Sequence, residues 1–320
     1  MTIAVPTLSA GIFIPNPTLS IPERDGSGNP AGWYFDTGVA TTATGYYGHS
    51  LFPWHARVQQ FVLSALGNSF WNSPLVEPGV LVADVDTLVR GTIYGQIEGS
   101  TSSSNFIRLI IYGYDAAGTV VYSRTLVTLS GSAAASAGFV LSSAEVTAHL
   151  TATTVRVGFA LQLTRASGNP IYRVAFLGSG VWDDTVAGHF DLSRVPSFGS
   201  FADRVDPDAG YRTDQVGIRR RVQTARFRKA HRLHWIYTGM PQSDAANLWR
   251  LWNLNGGQDD DLATVNPTGA PQPCLIECNN PAFPAVCYAD FDDSPSLAPV
   301  NFHQDPPDWG GSWTMTERLL

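Results

Sequence analysis

Three stretches of this sequence alternate apolar and polar residues at period two, and that alternation restricts the fold more than any other feature. Val89, Ile93 and Ile97 form one series, Ile107, Leu109 and Ile111 a second, and Val155, Val157, Phe159, Leu161 and Leu163 a third. Successive side chains of a strand point to opposite faces, so each series fits a strand buried on one side, and together they fit sheets packed face to face. The opposite positions carry Arg90, Tyr94 and Gln96, then Arg108 and Tyr112, then Arg156 and Gln162. If these strands are neighbours, they build one sheet face of arginine, tyrosine and glutamine. Aromatic rings stack on the apolar faces of sugars while guanidinium and carboxamide groups bond hydroxyl pairs, so these seven residues are the candidate carbohydrate-binding face. A sheet facing solvent, or pressed against another subunit, has the same composition. Trp33, Tyr46, Tyr47, His49, Trp54 and Trp71 are available to rim a site, although tryptophan in a sandwich is more often core. The 30 glycines and 21 prolines agree with a turn-rich, β-dominated chain.

The back half has its own pattern. From Arg226 to Tyr237 the residues alternate like a strand, with Phe227, His231, Leu233, Trp235 and Tyr237 on one face and Arg226, Arg228, Arg232 and His234 on the other. A short helix is predicted over 243–254, with Ser243 as N-cap and Asp244 in the positive first turn. Ala245, Leu248, Trp249 and Trp252 repeat at helical spacing, and Gly256 suits the stop. Basic residues crowd between Arg219 and Arg232, and acidic ones follow at Asp259–Asp261 and at Asp290, Asp292 and Asp293. A basic strand face and an acidic patch on one chain suit head-to-tail pairing of copies round an axis. The candidate interface residues are therefore Arg226, Arg228, Arg232, Asp259, Asp260 and Asp261. A ring lumen meeting DNA through phosphate contacts alone, and a solvated strand, are the alternatives. Between Asp183 and Val195 the hydrophobic pattern lapses. The expected organisation is a first domain over 1–185, a linker over 186–195 and a second domain over 196–320.

Other classes are argued against. At 320 residues the chain has length for two cores, and its net charge of −7 disfavours nucleic acid as a sequence-specific partner. No apolar run reaches the ~18 residues of a membrane helix, so membrane insertion is not expected. The opening Met-Thr-Ile-Ala-Val-Pro lacks the basic region of a signal peptide, and the expectation is a chain made and at first kept in a cytoplasm. Cys274, Cys278 and Cys287 are an odd set with two members on one strand face, which reads as buried thiols rather than zinc ligands. Glycoside hydrolysis requires two carboxylates across a cleft; Glu98, Asp115, Asp183 and Asp184 are available, but Asp115 fits a turn role. There is no nucleophile elbow, His-Glu-x-x-His or Walker loop, so no enzyme is expected.

Asn16-Pro17 near the start, Gly32-Trp33, the Val76-Glu-Pro-Gly79 entry to a strand, and Arg108–Gly118 with its Asp-x-x-Gly turn resemble jelly-roll carbohydrate-binding modules of the galactose-binding-like type. Val155–Phe159 and Ile171–Leu177 resemble the last two strands of that family. Some such jelly rolls hold a structural calcium, for which Asp183 and Asp184 are the candidate oxygen ligands; no other cofactor is implied. Phe198-Gly199, Asp208–Tyr211, the 226–237 strand, the 243–254 helix, Gly256-Gly257, Pro273–Cys278 and Trp313–Glu317 resemble the small minor tail proteins at the tail tip of long-tailed bacteriophages. Their fold is the split β-barrel of the tail tube. Ala209 stands where that family often has glycine, and Asp290–Trp309 reads as an insertion.

Together the resemblances imply a mainly β protein: an N-terminal jelly-roll β-sandwich and a C-terminal split β-barrel with one short α-helix. They imply a structural role in a phage tail tip or baseplate, with the second domain in a homo-oligomeric ring among other tail proteins. The first domain would be displayed toward host surface glycans, in a virion assembled in the host cytoplasm. A dedicated receptor-binding adhesin, and a lysin or glycan depolymerase component, are the rival readings.

Overall fold

The alternating strands pair as their periodicity requires, and one of them ties the two halves of the chain together. The computed structural model describes residues 7–23, 25–46, 58–78, 81, 83–134, 138–182, 189–197, 200–205, 209–213, 219–223, 230–255, 273–280, 283–301, 303 and 305–318. In chain order the front half has β1 (Thr7–Gly11), β2 (Tyr34–Gly38), β3 (Thr41–Tyr46), β4 (Val58–Leu63), β5 (Gly67–Asn72), β6 (Asp86–Glu98), β7 (Phe106–Tyr114) and β8 (Val120–Ser130). The single turn α1 (Gly131–Ala134), then β9 (Val140–His149), β10 (Arg156–Arg165) and β11 (Ile171–Val181) follow. The back half has β12 (Phe190–Asp191), β13 (Phe201–Val205), β14 (Ala209–Thr213), β15 (Arg219–Gln223) and β16 (Ala230–Met240). It ends with α2 (Gln242–Leu254), β17 (Cys274–Asn280), β18 (Phe283–Phe291), β19 (Ser296–Pro299) and β20 (Trp309–Glu317).

Strands β2, β5, β10, β7 and β8 form one antiparallel sheet in that order. The facing layer is built on β11, which pairs with β6 along one edge, while its other edge takes β4 at its start and β1 at its end. β9 extends this layer beyond β6, and β3 beyond β4. A strand bonded on both edges and covered on both faces reads as a nearly continuous apolar run, and β11 does. Between the layers lie Val89, Ile93 and Ile97 of β6, Ile107, Leu109 and Ile111 of β7, and Val157, Phe159, Leu161 and Leu163 of β10, with Phe61, Trp71 and Tyr172. Val155 corrects its series: it precedes β10 and is 46% exposed, because β10 enters the sheet only at Arg156. Trp33 is core, its indole Nε1 donating to the Pro15 carbonyl at 2.9 Å.

The back half continues the β11 layer. From β1 the sheet runs through β17, β18, β20 and β16 to β13, with β12 paired to β1 and β19 to β20. The chain is mainly β, as expected, and among the described residues its back-half strands form no closed barrel. The reason is in the pairing: the edge of β17 that closure would need is occupied by β1, with Thr7 opposite Glu277 and Ser9 opposite Leu275. Leu8 and Ala10 lie in the back-half core beside Trp182, Phe190 and Leu192, while Leu275, Val286 and Tyr288 reach into the front core. Gly11 makes this possible, since a Cβ there would sit 2.7 Å from the Tyr288 ring. The Tyr288 hydroxyl accepts from the Ser179 amide at 2.7 Å and donates to the Ile12 carbonyl at 2.8 Å.

Helix α2 begins one residue earlier than the sequence suggests. Pro241 precedes it, and no side chain caps it. Ser243 is exposed, and Asp244 is instead buried, accepting from the Ser193 amide at 2.8 Å and the Ser193 hydroxyl at 3.1 Å. The buried stripe is Ala245, Leu248, Leu251 and Leu254; Trp249 and Trp252 are only half-buried at its side, edge to face with centroids 5.7 Å apart. Gly256 lies outside the described residues. In β16, Leu233, Trp235 and Tyr237 are buried on one face, as the alternation predicts. Cys274, Cys278 and Cys287 are buried free thiols, and burial pushes the Cys274 thiol well above its ordinary range.

Candidate functional site

The seven candidate residues divide between opposite sides of the sandwich. Arg90, Tyr94 and Gln96 belong to β6 in the larger sheet, whereas Arg108, Tyr112, Arg156 and Gln162 belong to β7 and β10 in the five-stranded sheet. Alternation puts all seven at positions opposite the inward series, yet Tyr94 is buried in the front core, and periodicity within a strand says nothing about which strands share a sheet. The single face expected from the sequence is therefore corrected to two.

On the larger sheet the three side chains are engaged within the chain. Arg90 Nε donates to the buried carboxylate of Glu277, which also accepts from the hydroxyls of Thr92 and Ser143. A second carboxylate, Glu145, lies 3.6 Å from Arg90 Nη1 and contacts His189. Tyr94 is buried and stacked on Phe139 with centroids 5.6 Å apart, and burial raises its hydroxyl pKa. Gln96 accepts from Arg173 at 3.0 Å. Arg90 and Tyr94 hold the fold together and offer no open surface.

The outer face of the five-stranded sheet keeps the other four together and adds residues that the alternation did not single out. Arg108 stands opposite Gln162 in the register, Tyr112 opposite Gly158, and Arg156 opposite Tyr114. Ala160 stands opposite Asn72, and Asn72 opposite Tyr34. Tyr34 is 54% exposed, and the Tyr112 and Tyr114 rings lie edge to face with centroids 6.4 Å apart. Partial burial raises the Tyr112 hydroxyl pKa, and the Asp36 charge adds to the effect. For Tyr114 burial again comes first in raising the hydroxyl pKa, followed by Tyr34, Tyr112 and Asp36. Gly158 lets Leu75 and the Tyr114 ring pack over the strand: a Cβ there would approach the Tyr114 ring to 3.1 Å and Leu75 to 2.9 Å. Further along, the Arg108 guanidinium lies 3.9 Å from the Phe106 ring centroid while Nε donates to Thr128 at 3.2 Å. Gln162 is 8% exposed beside it, its amide donating to Thr164 at 3.3 Å.

The arrangement is a sheet face with Tyr112, Tyr114 and Arg156 at one end, Tyr34 at the level of Ala160, Asp36 next along β2, and Arg108 and Gln162 further along. Tyr114 could have been found in the sequence, because it sits at the polar phase of the alternating β7; Tyr34 and Asp36 could not, since β2 is exposed throughout and carries a register shift between Phe35 and Thr37. Asp115 serves its turn, its carboxylate accepting from the amides of Ala117 and Thr119 at 2.9 and 2.8 Å. Among the described residues no group of three or more metal-ligating side chains is assembled, and Asp183 and Asp184 lie outside them. Of the interface candidates, Arg226, Arg228, Asp259, Asp260 and Asp261 lie outside the described residues. Arg232 Nε is 3.0 Å from the Asp292 carboxylate of its own chain, and Asp290 is held by Arg318 and Asn255.

No protein-family model matches the sequence, and no curated protein matches it. Among solved structures the chain is similar to the enzymatically active domain of bacteriophage CBA120 tailspike protein 4, at 9% identity and a TM-score of 0.33 over 52% of this chain; it spans 21% of that chain's length. It is also similar to the xylan-binding CBM22-1 domain of Paenibacillus barcinonensis Xyn10C, at 9% identity and a TM-score of 0.32 over 54% of this chain and 96% of that one. A third is the C-terminal family 22 carbohydrate-binding module of Clostridium thermocellum Xyn10B, at 12% identity and a TM-score of 0.33 over 56% of this chain and 98% of that one.

Proposed function

We propose that this chain is a glycan-binding adhesion protein whose ligand lies on the outer face of the five-stranded sheet. The observation that carries the reading is that Tyr112 and Tyr114 stand beside Gly158, Tyr34 lies on the same face at the level of Ala160, and Asp36 is close enough to raise the hydroxyl pKa of Tyr112 and Tyr114. Rings on an open sheet offer stacking area to pyranose faces, the carboxylate accepts from paired hydroxyls, and Arg108 and Gln162 extend the track along the sheet. Binding without catalysis is the assignment, since glycoside hydrolysis requires a second carboxylate across the ligand and Asp36 stands alone among the groups named on this face. Affinity electrophoresis and calorimetry of the full chain against a panel of host-surface polysaccharides test it. Tyr112→Ala and Tyr34→Ala are each expected to weaken binding about tenfold, or ~1.4 kcal/mol. Unchanged affinity in both variants, or no binding to any glycan, overturns the reading.

The place of the adhesin is proposed as the tail tip of a long-tailed phage, with the back half as an assembly unit that forms a ring with its copies. Its support is the sequence resemblance of residues 196–320 together with β14 and β15. Among the described residues these strands pair only with each other, with Arg212 opposite Arg220 in the register and Arg219 and Arg221 on either side of Arg220 in the sequence. Like charges facing each other across a two-stranded ribbon are unfavourable in isolation, and an acidic neighbour would relieve them. Immuno-electron microscopy of particles should place the chain at the tail tip. Its absence from purified particles would sink this assignment and leave adhesion standing.

A further inference from the structure

The larger sheet has an outer face too, and the back half packs on it at Gly178 of β11, against Leu275. Beyond that seam, β3, β4, β11 and β6 set Thr44, Gln60, Arg173 and Gln96 side by side in the register. Arg173 is 7% exposed, and its guanidinium lies 3.8 Å from the Tyr46 ring centroid. Its Nε donates to Gln60 Oε1 at 3.1 Å, its Nη1 to Gln96 Oε1 at 3.0 Å, and its Nη2 is 2.5 Å from Glu98 Oε2.

Three consequences follow from those partners. Both carboxamides use their oxygens on the guanidinium, so their NH₂ groups are turned away from it, and neither NH₂ has a hydrogen-bond partner among the described residues. The Glu98 carboxylate, half exposed, keeps its second oxygen for another donor. The positive charge of Arg173 is met inside the cluster by Glu98, so the surface presented is polar but close to neutral. A guanidinium has five N–H donors and one carboxylate meets only part of them, so the two carboxamide oxygens satisfy the other nitrogens of this buried cation and both glutamines are held in fixed orientation.

We propose that this row is a second carbohydrate site, taking the hydroxyl edge of an uncharged saccharide. Gln60 and Gln96 donate to its hydroxyl oxygens, Glu98 accepts from a hydroxyl, and Thr44 does either. The inference rests on the reading of the chain as a glycan binder but uses the opposite side of the sandwich. Two sites facing opposite ways let one chain engage two glycan strands, and linked sites strengthen attachment without new contacts.

Amide NMR of the ¹⁵N-labelled full chain, titrated with xylohexaose and with cellohexaose, is the test. The side-chain NH₂ signals of Gln60 and Gln96 are expected to move, and Gln60→Ala with Gln96→Ala is expected to weaken that response roughly tenfold or more, the loss of two hydrogen bonds. Gln96→Glu keeps the acceptor for Arg173 and removes the donors; it guards against a folding defect and should reproduce the loss. Shifts confined to the Tyr34–Tyr112 face overturn the second site and leave the first. Shifts confined to Gln60 and Gln96 keep the second site and overturn the first. Silence at both faces with both probes overturns the two together.

Discussion

Tyr288 shows how much one side chain of this chain can carry. It comes from β18 in the back half, is fully buried, and its hydroxyl serves a backbone amide and a backbone carbonyl of the front half. Tyr288→Phe keeps the ring packing against Phe13 and Phe176 and leaves the Ser179 amide without its acceptor. The expected loss is about 1–3 kcal/mol, the desolvation penalty of one buried group, measured by urea unfolding. Glu277 is a similar case with a charge. Glu277→Ala removes the acceptor of Arg90 Nε and of two hydroxyls and leaves Glu145 as the carboxylate near the guanidinium, so a loss of about 3 kcal/mol is expected by the same measurement. A loss under ~1 kcal/mol in either variant would show that water replaces the missing partner. Buried tyrosines also give the molecule an alkaline limit. Burial raises the hydroxyl pKa values of Tyr94, Tyr172, Tyr237 and Tyr288 above the ordinary 10.0. The folded state therefore keeps protons that the unfolded chain releases above that pH. Stability from these groups is fully present below pH ~10 and is lost as pH rises beyond it, so the urea midpoint should be level up to about pH 9 and fall above 10.

At the scale of elements, α2 and the five-stranded sheet make different claims. The helix is held by Leu248, Leu251 and Leu254, and its first turn is tied to the preceding segment through Asp244 and Ser193. Leu251→Ala is expected to cost about 2–5 kcal/mol, whereas Trp252→Ala, at the half-buried edge of the stripe, should cost clearly less. Equal losses would show that the sequence's own assignment of the apolar face, with Trp249 and Trp252 inward, is the better one. Helical spacing alone could not separate these choices, because leucines and tryptophans alternate round this helix in two overlapping stripes. For the sheet, the inward series were legible because period two has no such ambiguity. The partition of the seven polar candidates was not legible, because strands β6 and β7 are consecutive in the chain and lie in different layers.

The whole molecule behaves as one sheet system threaded by its own beginning. β1 sits between β11 and β17, so neither half completes its hydrogen bonding without a strand of five residues near the N-terminus. Deleting residues 1–11 is expected to expose the edge of β17 and to lower stability in both cores at once, seen as loss of a single cooperative transition in calorimetry. Two independent transitions in the intact chain, with only one affected by the deletion, would contradict that.

The amino-acid sequence by itself determined the β class, the inward residues of the long strands, the burial of Leu233, Trp235 and Tyr237, and the turn role of Asp115. Each follows from local periodicity or from a side chain meeting its own backbone a few residues away. Only the tertiary structure decided that Arg90 is spent on Glu277, that Tyr34 and Asp36 join Tyr112, and that Arg173 orders two glutamines on the far face. Those pairings link residues far apart in the chain through sheet order and register, which are set by the sum of many packed contacts and leave no local mark in the sequence.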